Sequence, residues 1–108
     1  MSVLAGLLLA IVIPDPAVPP RAELCLAHVN AMIAEAARET GRVAGPSWFI
    51  RSWWSERLPE EGAPGALTAE QRTALELSMS ERRAADPDTY RAELRSCVDE
   101  AIEGGALP

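Results

Sequence analysis

Two cysteines, Cys25 and Cys97, lie near the two ends of the chain that follows an apolar N-terminal stretch, and the sequence contains no other cysteine. A bond between them would close a loop of about 70 residues and would stabilise the fold by roughly 4 kcal/mol, because it restricts the unfolded chain. It would also require the two segments that carry the cysteines to lie side by side. The pair therefore limits this chain to folds that bring its two ends together.

An apolar stretch at residues 3 to 13 (VLAGLLLAIVI) is followed by a Pro-rich segment at residues 14 to 20. As a helix, the stretch would cross about half of the hydrocarbon layer of a membrane, so it is too short for a span and has the length of an export-signal core. Two features depart from the usual signal: no Lys or Arg precedes the stretch, and Ala17 has no small residue two positions before it. The length of the stretch and the cysteine pair together favour export.

We therefore interpret residues 1–20 as an export signal and linker, and residues 21–108 as a single helical domain. The mature chain is expected to begin between about Asp15 and Arg21 and to reach the periplasm or the outside of the cell. Two alternatives remain open at this point. An uncleaved N-terminal helix would attach the protein to a membrane, and a cytoplasmic protein would keep both thiols reduced.

The composition of the chain excludes one class of partner. Its 108 residues suffice for one domain, and they carry a net charge of -6, with arginine supplying all ten basic residues. A protein that binds nucleic acid concentrates positive charge on one face to neutralise phosphates, and the sequence contains no such cluster. We therefore expect no nucleic-acid partner. We also expect no membrane-spanning segment, because the apolar stretch at residues 3 to 13 is too short for one.

Two helical segments follow the linker. The first, residues 21 to 40, repeats apolar residues at helical period and ends at Gly41. The second contains the sequence WFIRSWWSERL, which Gly45 and Pro46 precede and Pro59 ends. Both segments are typical of helices that bury one side.

A third and a fourth helical segment follow a loop rich in Gly and Pro. The third begins at Thr68, which forms a capping box with Gln71, and extends to about Ala85. Asp86 and Pro87 are typical of the N-cap and the first residue of a fourth helix, which ends at the Gly-Gly pair close to the C-terminus. No segment alternates at the period of a strand.

These segments predict an all-α fold, a small four-helix bundle-like domain. Cys25 lies early in the first helix and Cys97 lies late in the fourth, and each belongs to the apolar stripe of its helix. The first and last helices must therefore be antiparallel for one disulfide to join them. The same alignment places Arg21 next to Glu100 across the helix pair, as an exposed ion pair that contributes little to stability.

The same alignment allows a second interpretation of the cysteines. Cys25, His28, Glu93 and Cys97 would form a ligand set that zinc accepts, because His28 follows Cys25 by three residues and Glu93 lies opposite it. A single C-x-x-H spacing lacks the second spaced pair that defines a zinc motif. We therefore favour the disulfide, expect no cofactor, and expect His28 near the surface of its helix.

No catalytic motif is found in the sequence. The nucleophile elbow G-x-S-x-G, a glycine-rich phosphate loop and the H-E-x-x-H zinc motif are all absent. His28 is the only histidine, and nothing in the sequence orients a Ser or Thr hydroxyl toward it. Neighbouring carboxylates such as Asp99 and Glu100 point apart on a helix, so they make a poor acid–base pair. We expect a protein that is not an enzyme.

The sequence WFIRSWW holds all three tryptophans and the only phenylalanine of the chain. Helical phase sets Trp53 and Trp54 beside the apolar stripe that passes through Ile50, whereas Trp48 and Arg51 are free to face outward. Trp and Arg are enriched at the energetically dominant positions of protein interfaces. Trp48 and Arg51 are therefore candidate interaction residues, and the other rings are expected to fill the core.

These expectations combine into one function: an exported helical protein that acts by protein–protein interaction and not by catalysis. Its work would be to bind an envelope partner, neutralise a toxin or hold unfolded clients. In outline, a small, acidic, single-disulfide helical protein is similar to periplasmic acid-stress chaperones, a likeness that matches no motif and so transfers no site. The alternative is a small ligand- or zinc-binding protein that uses the aromatic helix or the cluster of Cys25, His28 and Cys97.

Overall fold

Helices form the regular structure of residues 19–108, the part of the chain that the computed structural model describes, and no strand occurs within these residues. The helices are named here α1 (Arg21–Thr40), α2 (Gly45–Ser55), α3 (Ala69–Leu77), α4 (Met79–Ala85) and α5 (Pro87–Glu103). The prediction of an export signal falls almost wholly on residues 1 to 18, which lie outside the described residues.

The boundary between α1 and α2 follows from glycine and proline. Gly41 adopts a left-handed conformation with φ 74°, and its N–H donates to the carbonyl of Ala37, which satisfies one of the free carbonyls at the end of α1. Pro46 lies in the first turn of α2, where its missing N–H costs nothing. Because α2 begins at Gly45, Trp48 lies within its first turn.

The third predicted helix is divided in two by Ser78. Its start is as expected, because the Thr68 side chain accepts from the Gln71 N–H and the Gln71 side chain accepts from the Thr68 N–H. At Ser78 the hydroxyl donates to the carbonyl of Leu75 at 2.6 Å, so a side chain competes with the backbone for that acceptor and the regular helix is interrupted. The prediction of one continuous helix to Ala85 is therefore wrong at this residue.

The start of α5 agrees with the sequence. The Asp86 carboxylate accepts from the Thr89 N–H at 3.2 Å and from the Thr89 hydroxyl at 2.8 Å, and Pro87 occupies the first turn. These hydrogen bonds favour the ionised carboxylate and lower the pKa of Asp86. The cap fixes the direction in which α5 returns along α1.

The central helix is α1, which packs against each of the four other helices. Two clusters of buried apolar side chains lie on its two sides. The larger cluster, between α1, α2 and α5, consists of Ala22, Cys25, Val29, Ile33, Ile50, Trp54, Cys97 and Ala101. The smaller cluster, between α1, α4 and α5, consists of Ala27, Met79 and Tyr90. Because α1 is covered on two sides, it buries more than one stripe of side chains.

The predicted pairing of the first and last helices is confirmed. Cys25 and Cys97 form a disulfide with their Cα atoms 5.3 Å apart, and both are fully buried. Arg21 Nε lies 2.8 Å from Glu100 Oε1, as the antiparallel alignment predicts. The fold is all-α, with one disulfide joining α1 to α5.

An ion pair with a buried carboxylate connects α3 and the loop before it to α1. The Glu23 carboxylate is fully buried and accepts from Arg72 Nε and Nη2, each at 2.7 Å, and from the Leu67 N–H at 3.1 Å. Burial alone would raise the pKa of Glu23, but the hydrogen bonds from Arg72 and Leu67 and the charge of Arg72 outweigh it, so the pKa lies below its ordinary value. The pair holds α3 against α1, in addition to the apolar contact of the partly buried Leu75 with the smaller cluster.

A membrane span requires a helix that is both long and apolar. None of the helices within residues 19–108 meets both requirements.

Candidate interaction site

The buried side of α2 fixes which aromatic residues remain at the surface. Ile50 and Trp54, one turn apart, are buried in the larger cluster. Trp54 Nε1 donates to the carbonyl of Cys97 at 3.0 Å, so the one polar atom of this ring is satisfied inside the core. These contacts determine the rotation of α2 about its own axis.

Trp53 packs at the edge of the core and is only partly buried. Its Nε1 donates to the carbonyl of Gly104 at 3.3 Å, and its ring meets Trp54 edge to face with centroids 4.8 Å apart. A Cβ atom built on Gly104 would lie 2.3 Å from the Trp53 ring, so this glycine gives the ring its place. The Arg57 guanidinium covers the ring, 3.4 Å from its centroid. Trp53 therefore belongs to the packing between α2 and α5.

Trp48 and Phe49 are the aromatic residues that α2 leaves at the surface, with 46% and 47% of their area exposed. Arg51 lies one turn after Trp48, and its guanidinium carbon is 5.4 Å from the centroid of the Trp48 ring. Stacking of this kind leaves the N–H groups at the edge of the guanidinium free to bind a carboxylate. At about 100° per residue, Trp48 lies between Phe49 and Arg51 around the outward side of α2. We call these three residues the aromatic–arginine face.

The segment that carries the aromatic–arginine face, between Glu39 and Glu56, has arginines and no carboxylate. Residues 40 to 55 include Arg42 and Arg51 and contain no Asp or Glu. Within the part of the chain that the structure describes, neither arginine lies within 4.0 Å of a carboxylate. The N-terminus of α2 adds partial positive charge, because Ala44 provides no side-chain cap for its first N–H groups. The face can therefore bind an apolar group and an anionic group side by side.

The two residues named from the sequence, Trp48 and Arg51, lie together at the surface, and their interaction role stays a prediction. Phe49 was missed, because helical phase places it on the same side as Trp53 and suggested that both were buried. In the structure Trp53 packs against Gly104 and is partly buried, whereas Phe49, one turn earlier, is about half exposed. Helical phase alone does not show which residues of one side of a helix meet a neighbouring helix.

The alternative metal cluster is not assembled. Cys25 and Cys97 are bonded to each other, which leaves neither sulfur as a thiolate ligand. His28 Nε2 lies 2.8 Å from Glu93 Oε1, so these two residues are adjacent as the alignment predicted. Across residues 19–108, no group of three His, Cys, Asp or Glu side chains is arranged to hold a metal ion.

His28 differs from the sequence-based expectation, because it is fully buried and not near the surface. The cause is the smaller cluster, which covers a second side of α1: the His28 ring lies 4.8 Å from the ring of Tyr90 on α5. Its Nδ1 is buried and has no hydrogen-bond partner among the described residues. In its observed contacts, His28 joins α1 to α5 through Glu93.

Comparison with known proteins supplies no further information about the site. No protein family model matches the sequence, and no curated protein or solved structure is significantly similar to it. Its function must therefore be argued from its own residues.

Proposed function

We propose that this chain is an exported helical protein that acts by binding another protein through its aromatic–arginine face, without catalysing a reaction. The exposure of Phe49 and of Trp48, which is stacked against Arg51, carries the proposal. A small domain gains stability by burying its large rings, so two adjacent rings left half exposed are costly unless a partner covers them. An envelope partner, a toxin and an unfolded client each offer apolar and anionic groups that this face could bind.

The chemistry of the face fits a protein interface better than a small-molecule site. Trp and Arg provide the largest contributions in most interfaces, where a ring fills a pocket on the partner and the guanidinium pairs with a carboxylate. Small molecules are usually held in concave sites. The aromatic–arginine face instead stands on the outer side of a helix, with its two rings open to solvent.

Removal of Trp48 is expected to weaken binding by at least about tenfold and to leave folding almost unchanged, because the exposed ring contributes to the interface and not to the core. A photo-reactive phenylalanine analogue at position 49, introduced into cells that naturally produce the protein, will capture what contacts the face. Adding Trp48→Ala should remove most of the adduct, and thermal unfolding followed by circular dichroism should give the same Tm.

Leu77 provides a matched control, because it is also a large apolar side chain, with 72% of its area exposed, but lies on α3. Leu77→Ala should leave the adduct at position 49 unchanged, and the photo-reactive residue placed at position 77 should capture little. Equal capture at positions 49 and 77, or an adduct that persists in Trp48→Ala, would show that the aromatic–arginine face is not the binding surface.

The proposal also includes export, which the disulfide supports because such bonds persist outside the cytoplasm. Intact-mass measurement of the protein isolated from its natural cells should give a chain that begins between about Asp15 and Arg21, with two hydrogens fewer than its reduced form. A chain that still carries residues 1 to 13 and two free thiols in the cytoplasmic fraction would contradict export.

A further inference from the structure

A second surface of the molecule has the opposite character to the aromatic–arginine face. Ile102, in the last turn of α5, is 43% exposed. Asp99 lies one turn before it and Glu103 lies next to it, and both carboxylates are exposed. Neither forms an ion pair with any other residue between 19 and 108. We call Asp99, Ile102 and Glu103 the acidic–isoleucine face.

The two faces are complementary in charge and in chemistry. In the last turns of α5, from Arg95 onward, Glu100 is paired with Arg21 and two further carboxylates, Asp99 and Glu103, remain beside one arginine. Residues 40 to 55 carry two arginines and no carboxylate. Each face also exposes apolar area of the kind that interfaces bury: two aromatic rings on one and an aliphatic side chain on the other. Opposite charges around exposed apolar side chains favour association of the two faces in one relative orientation.

The positions of the faces allow both to be used at once by two molecules. Phe49 lies on the same side of α2 as Trp53, one turn earlier, and Trp53 donates to Gly104, which directly follows α5. Trp53 therefore connects the two faces, because it lies one turn after Phe49 on α2 and contacts the residue that follows α5. Within one molecule they form no ion pair with each other. A two-fold axis between them would place each face against its complement in a second copy.

We propose that two copies of this chain associate through these faces, with the aromatic–arginine face of each seated on the acidic–isoleucine face of the other. Arg51 pairs with Asp99 or Glu103 across the contact, and Trp48 and Phe49 cover Ile102. The inference rests on the proposed binding role of the aromatic–arginine face and makes a second copy the occupant of that face when no other partner is bound. An anionic membrane is disfavoured as occupant, because a chain with a net charge of -6 is repelled by it.

Sedimentation equilibrium of the purified protein, from about 1 μM to about 500 μM, tests the proposal directly, since a small two-fold contact is expected to dissociate in the micromolar range. A concentration-dependent dimer is expected. Arg51→Glu and Glu103→Arg should each weaken dimerisation by about tenfold or more, and the double variant, with the two charges exchanged, should restore most of the loss. Circular dichroism will show that each variant remains folded.

Arg91→Glu is the charge-matched control, because it makes the same charge change on an exposed arginine in the first half of α5, away from both faces. It should leave dimerisation unchanged. A protein that stays monomeric over the whole concentration range would overturn the proposal. So would a double variant that dimerises no more strongly than either single variant, or an Arg91→Glu variant that dimerises as weakly as Arg51→Glu. Binding of the monomer to phosphatidylglycerol vesicles that depends on Trp48 would also overturn it.

The outcomes separate this inference from the proposed function. A monomeric protein that still captures a different protein at position 49, in a manner that depends on Trp48, would remove the second copy as partner and keep the binding face. A dimer that responds to the charge exchange, in cells where position 49 captures only the chain itself, would keep the inference and contradict a partner of another sequence.

Discussion

Replacement of Cys25 and Cys97 together by alanine is expected to lower the free energy of unfolding by about 4 kcal/mol, because the disulfide closes a loop of 72 residues and restricts the unfolded chain. This is a large share of the roughly 5 to 15 kcal/mol that stabilises a typical domain. Urea denaturation followed by circular dichroism measures the loss. The same loss is expected when the unmodified protein is unfolded in the presence of a reductant.

The double alanine variant and the reduced unmodified protein serve as controls for each other. Both sulfurs are fully buried, so a reductant should act on the folded protein slowly and on the unfolded protein quickly. An alanine variant less stable than the reduced protein would indicate lost packing in addition to the lost bond. A loss below about 1 kcal/mol in both forms would mean that the disulfide does not restrict the unfolded chain as the loop length predicts.

Replacement of Arg72 by methionine is expected to destabilise the fold by about 1.5 to 3 kcal/mol, because it removes two charge-assisted hydrogen bonds from the buried Glu23 carboxylate at a position that solvent partly reaches. Methionine keeps most of the volume of the arginine stem, so the loss reports the missing charge and hydrogen bonds. Urea denaturation at neutral pH measures it. Arg95→Met is the matched control, since Arg95 is exposed and forms no ion pair within residues 19–108, and its effect should stay within about 0.5 kcal/mol.

The stability that the Glu23–Arg72 pair contributes should depend on pH in a definite direction. The pKa of Glu23 in the folded protein lies below its ordinary value of 4.5, because Arg72 and the Leu67 N–H outweigh the effect of burial. Its contribution to stability is therefore complete above about pH 4.5 and is lost as the pH falls through the folded-state pKa. In Arg72→Met only burial and the Leu67 bond remain, and burial raises the pKa. The difference in stability between the two proteins should then shrink as the pH falls from 7 to about 4. A difference in the free energy of unfolding that stays constant over this pH range would contradict the assignment of the effect to Glu23 and Arg72.

The sequence predicts the parts of this fold that depend on local signals. Gly41, the Thr68 capping box and the Asp86 cap each act on neighbouring residues, so they can be recognised without the tertiary structure. The disulfide was predictable for another reason: Cys25 and Cys97 lie on the apolar stripes of two helices, and a single antiparallel alignment satisfies both.

What the sequence could not predict depends on distant contacts. Glu23 in the first turn of a helix is typical of a solvated acid that interacts with the helix dipole, and no local pattern pairs it with Arg72. His28 was expected near the surface because the apolar period of α1 marks one stripe, whereas Met79 of α4 and Tyr90 of α5 cover a second side of that helix. The exposure of Trp48 followed from helical phase, but that of Phe49 depends on contacts between helices that are distant in sequence.

The disulfide also changes what one cut in the backbone can do to this protein. The exposed loop between α2 and α3, which contains Gly62 and Gly65, lies inside the covalent ring that Cys25 and Cys97 close. A protease that cleaves one peptide bond there produces two fragments that remain one covalent particle. One fragment carries α1 and α2, the other carries α3 to α5, and the buried Glu23–Arg72 pair still spans the gap. In a compartment rich in proteases, a nicked molecule therefore keeps its aromatic helix attached to the rest of its core.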